Sequence, residues 1–312
     1  MKVKMDFWER IMIPERIRIP VLGGVIYKLL SNLARKKIKR IQYEDLNLNK
    51  EKRNQILTCT LTTFPDRIDS VHYTIKSLFN QSVKPDRIVL WLAEEEFCGK
   101  EFPDSIKELQ KRGLEIRYCD NLFGHKRYYK LLDEQKDNEL LIMFDDDIIF
   151  PYYMIERLYD KWKEYPDAII CDRGQLLTFD GNEVLNPGRW SSISDVGIDS
   201  PSYRILVSGG GGCLVPPKSL YKDVCVPEKI KEYALRVDDL WLMFMAVQNN
   251  TKILRTYKYH RTFISSENQQ TVQLGKEAIY NGGYIRTFQA LIEAYPHAYN
   301  NMLLEINNSN AE

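Results

Sequence analysis

The sequence predicts an α/β protein with a mainly parallel central sheet flanked by helices. Three observations carry that expectation. Strand and helix signals alternate four times within about 90 residues, starting near residue 54, and such units join through right-handed crossovers. The last strand of the series, residues 140–144, is uniformly apolar, as a strand covered on both faces must be. Acidic residues follow directly, at the carboxyl edge where open parallel sheets bind their ligands.

Each element has its own signal. Residues 56–62 (ILTCTLT) form a β-rich run that Phe64, Pro65 and Asp66 bring to an end. From Ser70 to Phe79 the apolar Val71, Ile75 and Leu78 fall at helical spacing. Residues 87–92 read as a second buried strand. Pro103 opens a helix through Leu109, and Gly113 closes it. Residues 114–118 make the third strand, and residues 128–132 belong to another helix. Much later, residues 276–304 look mostly helical, broken at Gly282, Gly283 and Pro296. The expected organisation is a basic extension over 1–50, a catalytic domain over 51–265, and a helical segment over 266–312 packing on it.

Composition removes several function classes. The 312 residues are 44% hydrophobic and 28% charged, and 44 basic against 43 acidic side chains leave a net charge of +1. No overall field for nucleic acid is present. The longest uncharged run, residues 205–217, holds four glycines and two prolines, whereas a bilayer-spanning helix needs roughly 18 to 20 apolar residues. No secretory leader is read, because the apolar patch near the start sits among charges. Cys59, Cys98, Cys119, Cys171, Cys213 and Cys225 never fall in a CxxC spacing and read as reduced thiols of a cytoplasmic protein.

The charge is unevenly spread. Residues 1–40 carry a net +8 and the remainder −7. Trp8, Ile11, Ile13, Ile17, Val21, Val25, Leu29 and Leu30 are mixed there with Arg35, Lys36, Lys37, Lys39 and Arg40. Beside an anionic leaflet such a segment gains about 1 kcal/mol per cation, so peripheral contact with the inner face of a membrane through residues 1–40 is one expectation. The competing one is an extension that packs on its own domain, with Pro14, Pro20, Gly23 and Gly24 interrupting any long helix.

Asp145, Asp146 and Asp147 close the fourth strand. Three adjacent carboxylates repel one another unless a cation compensates. In extended backbone Asp145 and Asp147 point to one side and Asp146 to the other, which presents oxygens toward one hard ion, Mg²⁺ or Mn²⁺. A single Asp could instead cap the helix after Pro151, but capping needs one carboxylate and not three. Four glycines, Gly209 to Gly212, lie about 60 residues on, and they let a backbone approach a ligand closely or simply form a turn. Asp238 and Asp239 follow at the mouth of a strongly apolar helix. Asp238 has an N-cap alternative, and the other carboxylate is free to take a proton from a bound hydroxyl. His260 is one of only four histidines, either structural or part of a metal shell.

The combination of Thr62, Thr63, Phe64, Pro65, Asp66 and Arg67, a D-x-D at 145–147, the glycine run, the acidic pair and the late histidine resembles the glycosyltransferase-A fold, a Rossmann-like architecture. Within it, the similarity is to nucleotide-sugar-dependent bacterial glycosyltransferases related to family 2 that build surface polysaccharides. It covers about residues 54–262. The resemblance implies that Thr62, Phe64 and Arg67 line the nucleotide base site, with Asp145, Asp146, Gly210 and Gly211 also on the donor. It implies metal contacts from Asp145, Asp147 and His260, Asp147 first. It places Asp239 as catalytic base, with Asp238 standing where the family has Glu and able to share the role. Lys126 and Lys130, four apart on one predicted helix face, reach for the diphosphate or are solvated surface lysines.

The expected reaction is metal-dependent transfer, with inversion, from a nucleoside-diphosphate sugar, UDP-sugar first, to a hydroxyl of a glycan or lipid-linked glycan. Two other classes compete. A sugar nucleotidyltransferase needs a glycine-rich, basic loop after the first strand, where this chain has Thr62, Thr63, Phe64 and Pro65. A non-catalytic nucleotide- or glycan-binding protein has no need of the intact carboxylates. Residues 181–204, with Trp190 and Tyr203, are long enough for a substrate loop whose aromatics either stack on sugars or pack in the core.

Overall fold

The computed structural model describes residues 20–191, 194–258, 264–266 and 283–309. The first nineteen residues and His260 lie outside that set.

The chain starts with α1 (Pro20–Arg40) and enters β1 (Ile56–Thr62), α2 (Val71–Phe79), β2 (Arg87–Ala93), the short α3 (Glu94–Phe97), α4 (Asp104–Lys111), β3 (Leu114–Cys119), α5 (Tyr129–Asp133) and β4 (Glu139–Phe144). Then follow β5 (Ile148–Ile149), α6 (Met154–Glu164), β6 (Ile169–Cys171), β7 (Gly174–Leu176), β8 (Phe179–Asp180), β9 (Glu183–Val184), β10 (Ile205–Val207) and β11 (Gly211–Val215). The last elements are α7 (Pro227–Tyr233), α8 (Asp238–Gln248), β12 (Ile253–Arg255), β13 (Ile264–Ser265), α9 (Gly283–Ala294) and α10 (Pro296–Ser309).

Seven strands form the central sheet in the order β12-β6-β11-β4-β1-β2-β3. β1 pairs in parallel with β2 and β4, β2 with β3, and β12 with β6. β11 is antiparallel to both β4 and β6, so six strands share one sense. Alternation along the strands divides the core in two. Leu57, Cys59, Leu61, Ile88, Leu90, Leu140, Ile142 and Phe144 face a cluster with α2, α4 and α6. Val89, Trp91, Leu141 and Met143 face the other, built with α5, α8, α9 and α10. The mainly parallel sheet flanked by helices is as expected from the sequence.

Three local expectations need correction. The glycine run does not end as a loop, because Gly211 and Gly212 begin β11, with a register irregularity between Gly211 and Cys213. Pro20, Gly23 and Gly24 do not interrupt α1. Pro20 sits at its first position, where its missing N–H costs nothing. Leu30, Ala34 and Ile38 then anchor the helix against Ile149 and Ile264, enough packing to offset two helical glycines. Residues 181–204 carry β9 and a 3₁₀ turn rather than an open loop. Trp190 there is buried, donates from Nε1 to the Leu185 carbonyl at 2.7 Å, and meets Tyr284 edge-on at 5.9 Å. Lys252 lies over one face of the half-buried Tyr203 ring, which packs against the same core, so core packing accounts for both aromatics. Among the described residues no helix is long and apolar enough to cross a membrane.

Candidate active site

Because β11 runs against its neighbours, its first residues lie at the same sheet edge as the last residues of β1, β4 and β6. The motif residues Arg67, Asp145, Asp147, Gly209, Gly210, Asp238 and Asp239 therefore meet there, while His260 lies outside the described residues. At their centre is a side chain the motifs do not include, Arg127. It follows β3 in a 3₁₀ turn (Phe123–Arg127), and the Thr60 hydroxyl of β1 donates to its carbonyl. Its Nη1 lies 2.6 Å from Asp145 Oδ1, while Nη2 bonds Asp238 and lies 3.4 Å from Asp239 Oδ1. One buried guanidinium thus ties the end of β4 to the start of α8. Neither acidic group is used as a helix cap: Val237 holds the cap position of α8 and Tyr153 that of α6, and neither cap makes a side-chain bond.

The expected alternation does not run through the triplet: the backbone bends at residues 146–147, and Arg67 Nη1 reaches both Asp146 and Asp147 while Asp145 turns to Arg127. Asp146 is buried, accepts from the Thr63 hydroxyl at 2.6 Å and from Arg67, and its carbonyl accepts from Thr74 at 2.8 Å. Arg67 also lies 3.1 Å from Asp147 Oδ2 and stacks on the Phe64 ring, which orders the corner after β1. Thr62 donates to the Trp91 carbonyl at 2.9 Å. On the far side, Ser266 N–H donates to the Asp147 carbonyl at 2.8 Å. Residues 264–266 therefore lie at this corner.

Two glycines are demanded by the site. A Cβ on Gly210 would sit 1.6 Å from Asp145 Oδ1, and the Gly210 carbonyl accepts from Asp145 N–H at 2.7 Å. Gly212 has φ +94°, a conformation that L side chains rarely adopt. Next to them, Gly209 N–H donates to Asp239 Oδ1 at 2.8 Å and fixes that carboxyl.

Lys126 and Lys130 do not share a helix face. The 3₁₀ turn ends at Arg127 and α5 starts only at Tyr129. Lys126 is buried against Glu96 and Asn121, and Lys130 lies over the Tyr129 ring. Arg127, next to Lys126 in sequence, faces the carboxylates instead. Sequence reasoning also missed Arg173 and Tyr284, and it gave Thr63, within the motif after β1, no role. Arg173 follows β6 and feels the charges of Asp145, Asp239 and Asp147, and the Tyr284 hydroxyl feels those of Asp239 and Asp238. A basic residue just after a strand is a signal that could have found Arg173, whereas Arg127, well past the end of β3, carries none.

Burial opposes charge on Arg127, yet Asp238, Asp145 and Asp239 outweigh it and hold the guanidinium firmly ionised. Burial raises Asp239 well above the ordinary carboxylate range, and Asp238 raises it further against the pull of Arg127. Asp147 is pushed up to about 6, first by burial and then by Asp145, with Arg67 opposing. Arg67, shared with Asp146, only partly offsets the charge crowded there. Asp145 and Asp147 keep 41% and 32% of their side-chain surface open, so both reach the solvent side of the corner. Among the described residues no group of three or more His, Cys, Asp or Glu could hold a metal alone. Two carboxylates fit a hard divalent ion whose shell is completed by substrate phosphates.

No family model matches the sequence, and no curated protein sequence matches it. Among solved structures, the chain is similar to a mannosyltransferase, PcManGT of Pyrobaculum calidifontis, in complex with GDP-Man and Mn²⁺. The TM-score is 0.50 at 9% identity, over 91% of this chain and 79% of that one. The chain has a glycosyltransferase-A fold. It is also similar, with a TM-score of 0.43 and 14% identity over 74% of this chain and 96% of the other, to 4-diphosphocytidyl-2C-methyl-D-erythritol synthase of Anaerococcus prevotii. In this glycosyltransferase-A fold the Arg127 cluster occupies the carboxyl edge of the parallel strands.

Proposed function

We propose that this chain is a metal-dependent, inverting glycosyltransferase related to family 2, moving a sugar from a nucleoside-diphosphate sugar to a hydroxyl of a glycan acceptor in surface polysaccharide synthesis. UDP-sugar is the first donor to test. The observation that carries the reading is the single guanidinium of Arg127 joining Asp145 of the D-x-D to the Asp238–Asp239 pair. Donor-side and acceptor-side carboxylates are thereby held in one ionic frame.

Asp145 and Asp147 would hold Mn²⁺ or Mg²⁺, with His260 as a further ligand. The ion supplies charge stabilisation for the departing diphosphate. Thr62, Phe64 and Arg67 border the corner where the nucleotide base would lie, and Gly210 and Gly211 bring backbone close to the donor. Asp239 acts as base. Its carboxyl is fixed by Gly209 N–H, keeps 24% of its surface open, and has a raised proton affinity suited to accepting a hydroxyl proton near neutral pH. Asp238, paired with Arg127, holds the frame and shares the role. Attack from the side of the base, opposite the leaving diphosphate, inverts the anomeric centre.

The test is a donor screen that reads released nucleoside diphosphate and the anomeric configuration of the product. An inverted product is expected, with Asp239→Asn lowering turnover about 10²- to 10⁴-fold while the nucleotide still binds. A retained configuration would remove the base assignment. Pyrophosphate released from a nucleoside triphosphate and a sugar phosphate would replace transfer with nucleotidyl chemistry.

A further inference from the structure

The outer face of α1 has no role in the reading above. Its inner stripe, Leu30, Ala34 and Ile38, is fully accounted for by packing on Ile149 and Ile264. A second stripe, Val25, Leu29 and Leu33, repeats at the same four-residue interval further round the helix and is 62%, 58% and 40% exposed. These three are half of the large hydrophobic side chains exposed among the described residues. Continued toward the C-terminus, the stripe becomes Lys36 and Arg40, both exposed. The helix carries Lys28, Arg35, Lys36, Lys37, Lys39 and Arg40 and not one carboxylate; Glu44 and Asp45 come only after it ends.

We infer that this face docks on an anionic lipid surface. Apolar side chains flanked by cations on one helix face are what an interfacial helix needs: buried apolar area for insertion and charge for the anionic headgroups. A protein partner would have to match that field with a concentrated acidic surface, and a second copy of this chain would bring the same six cations against these six. Charge complementarity therefore selects the lipid. The location adds a consequence. Ile149 and Ile264, on which α1 rests, belong to the strand pair that leaves Asp147 and returns to Ser266. A bilayer touching α1 would lie on the flank of the carboxylate corner, within reach for a lipid-linked acceptor.

Docking is independent of the sugar-transfer reading, and its test needs no donor. Full-length protein is co-sedimented with vesicles of phosphatidylcholine alone or mixed with phosphatidylglycerol, at low and high salt. Binding is expected only with phosphatidylglycerol and only at low salt. Leu29→Glu/Leu33→Glu, with an unchanged melting temperature, should abolish it, and Lys36→Gln/Arg40→Gln should weaken it roughly thirtyfold at about 1 kcal/mol per cation. No sedimentation of the wild type would overturn the inference. So would undiminished binding by Leu29→Glu/Leu33→Glu, which would assign the lipid contact to residues 1–19. A dimer that this variant dissociates, without vesicle binding, would give the face to a second copy.

Discussion

Arg127 is buried among Asp145, Asp238 and Asp239, so its charge and theirs depend on one another. Arg127→Met leaves three carboxylates crowded without their cation. Breaking a buried pair in this way costs about 3–5 kcal/mol, and chemical denaturation should show that loss. Lys at this position would not restore it, because a point charge cannot bridge two directions as the planar fork does. A loss below about 1 kcal/mol would mean the frame is not held by Arg127. His125, two residues earlier, makes a different prediction. Its ring is fully buried between the Tyr128 hydroxyl and the Ala234 carbonyl, and burial lowers it to about 4 from an ordinary 6.5. The unfolded chain then binds this proton more readily than the folded one. Stability is unaffected above about pH 7, falls as pH drops through about 6.5, and levels off below about 4, a total of roughly 3 kcal/mol. Subtracting the profile of His125→Gln should isolate that drop. An identical pH dependence in the two proteins would contradict it.

Elements long enough to show a period were legible in the sequence. The series β1, α2, β2, α4, β3 and β4 stands where apolar runs and helical spacing placed it. The short strands β6 and β12, three residues each, show no period at all, and β11 was hidden by its glycines. The same cause misplaced α1, since Pro20, Gly23 and Gly24 weaken local propensity while the docking stripe Leu30, Ala34 and Ile38 supplies tertiary stability. The motif carboxylates could be found by type and spacing. Arg127 could not, because its partners are 18 and 111 residues away in sequence. Truncating one knob of the stripe tests the docking of α1. Ile38→Ala should cost roughly 2 to 3 kcal/mol in equilibrium unfolding, whereas a change near zero would mean that the helix is not seated on Ile149 and Ile264.

At the scale of the molecule, one sheet edge collects what the chain distributes between Arg67 and Asp239. The parallel sense of β1, β4 and β6 and the reversed β11 bring Arg67, Arg127, Asp145, Asp147, Gly209 and Asp239 to that edge. The central claim is that this edge binds a nucleoside diphosphate together with a divalent ion. It is tested most directly by thermal unfolding with UDP, GDP or CDP, each with and without Mn²⁺, for the wild type and Asp147→Asn. A ligand at about 100 times its dissociation constant adds roughly 2.7 kcal/mol, enough to move the midpoint by several degrees. One nucleotide should shift the wild type only when Mn²⁺ is present and should not shift Asp147→Asn. No shift with any nucleotide, or an equal shift in the variant, would contradict the account.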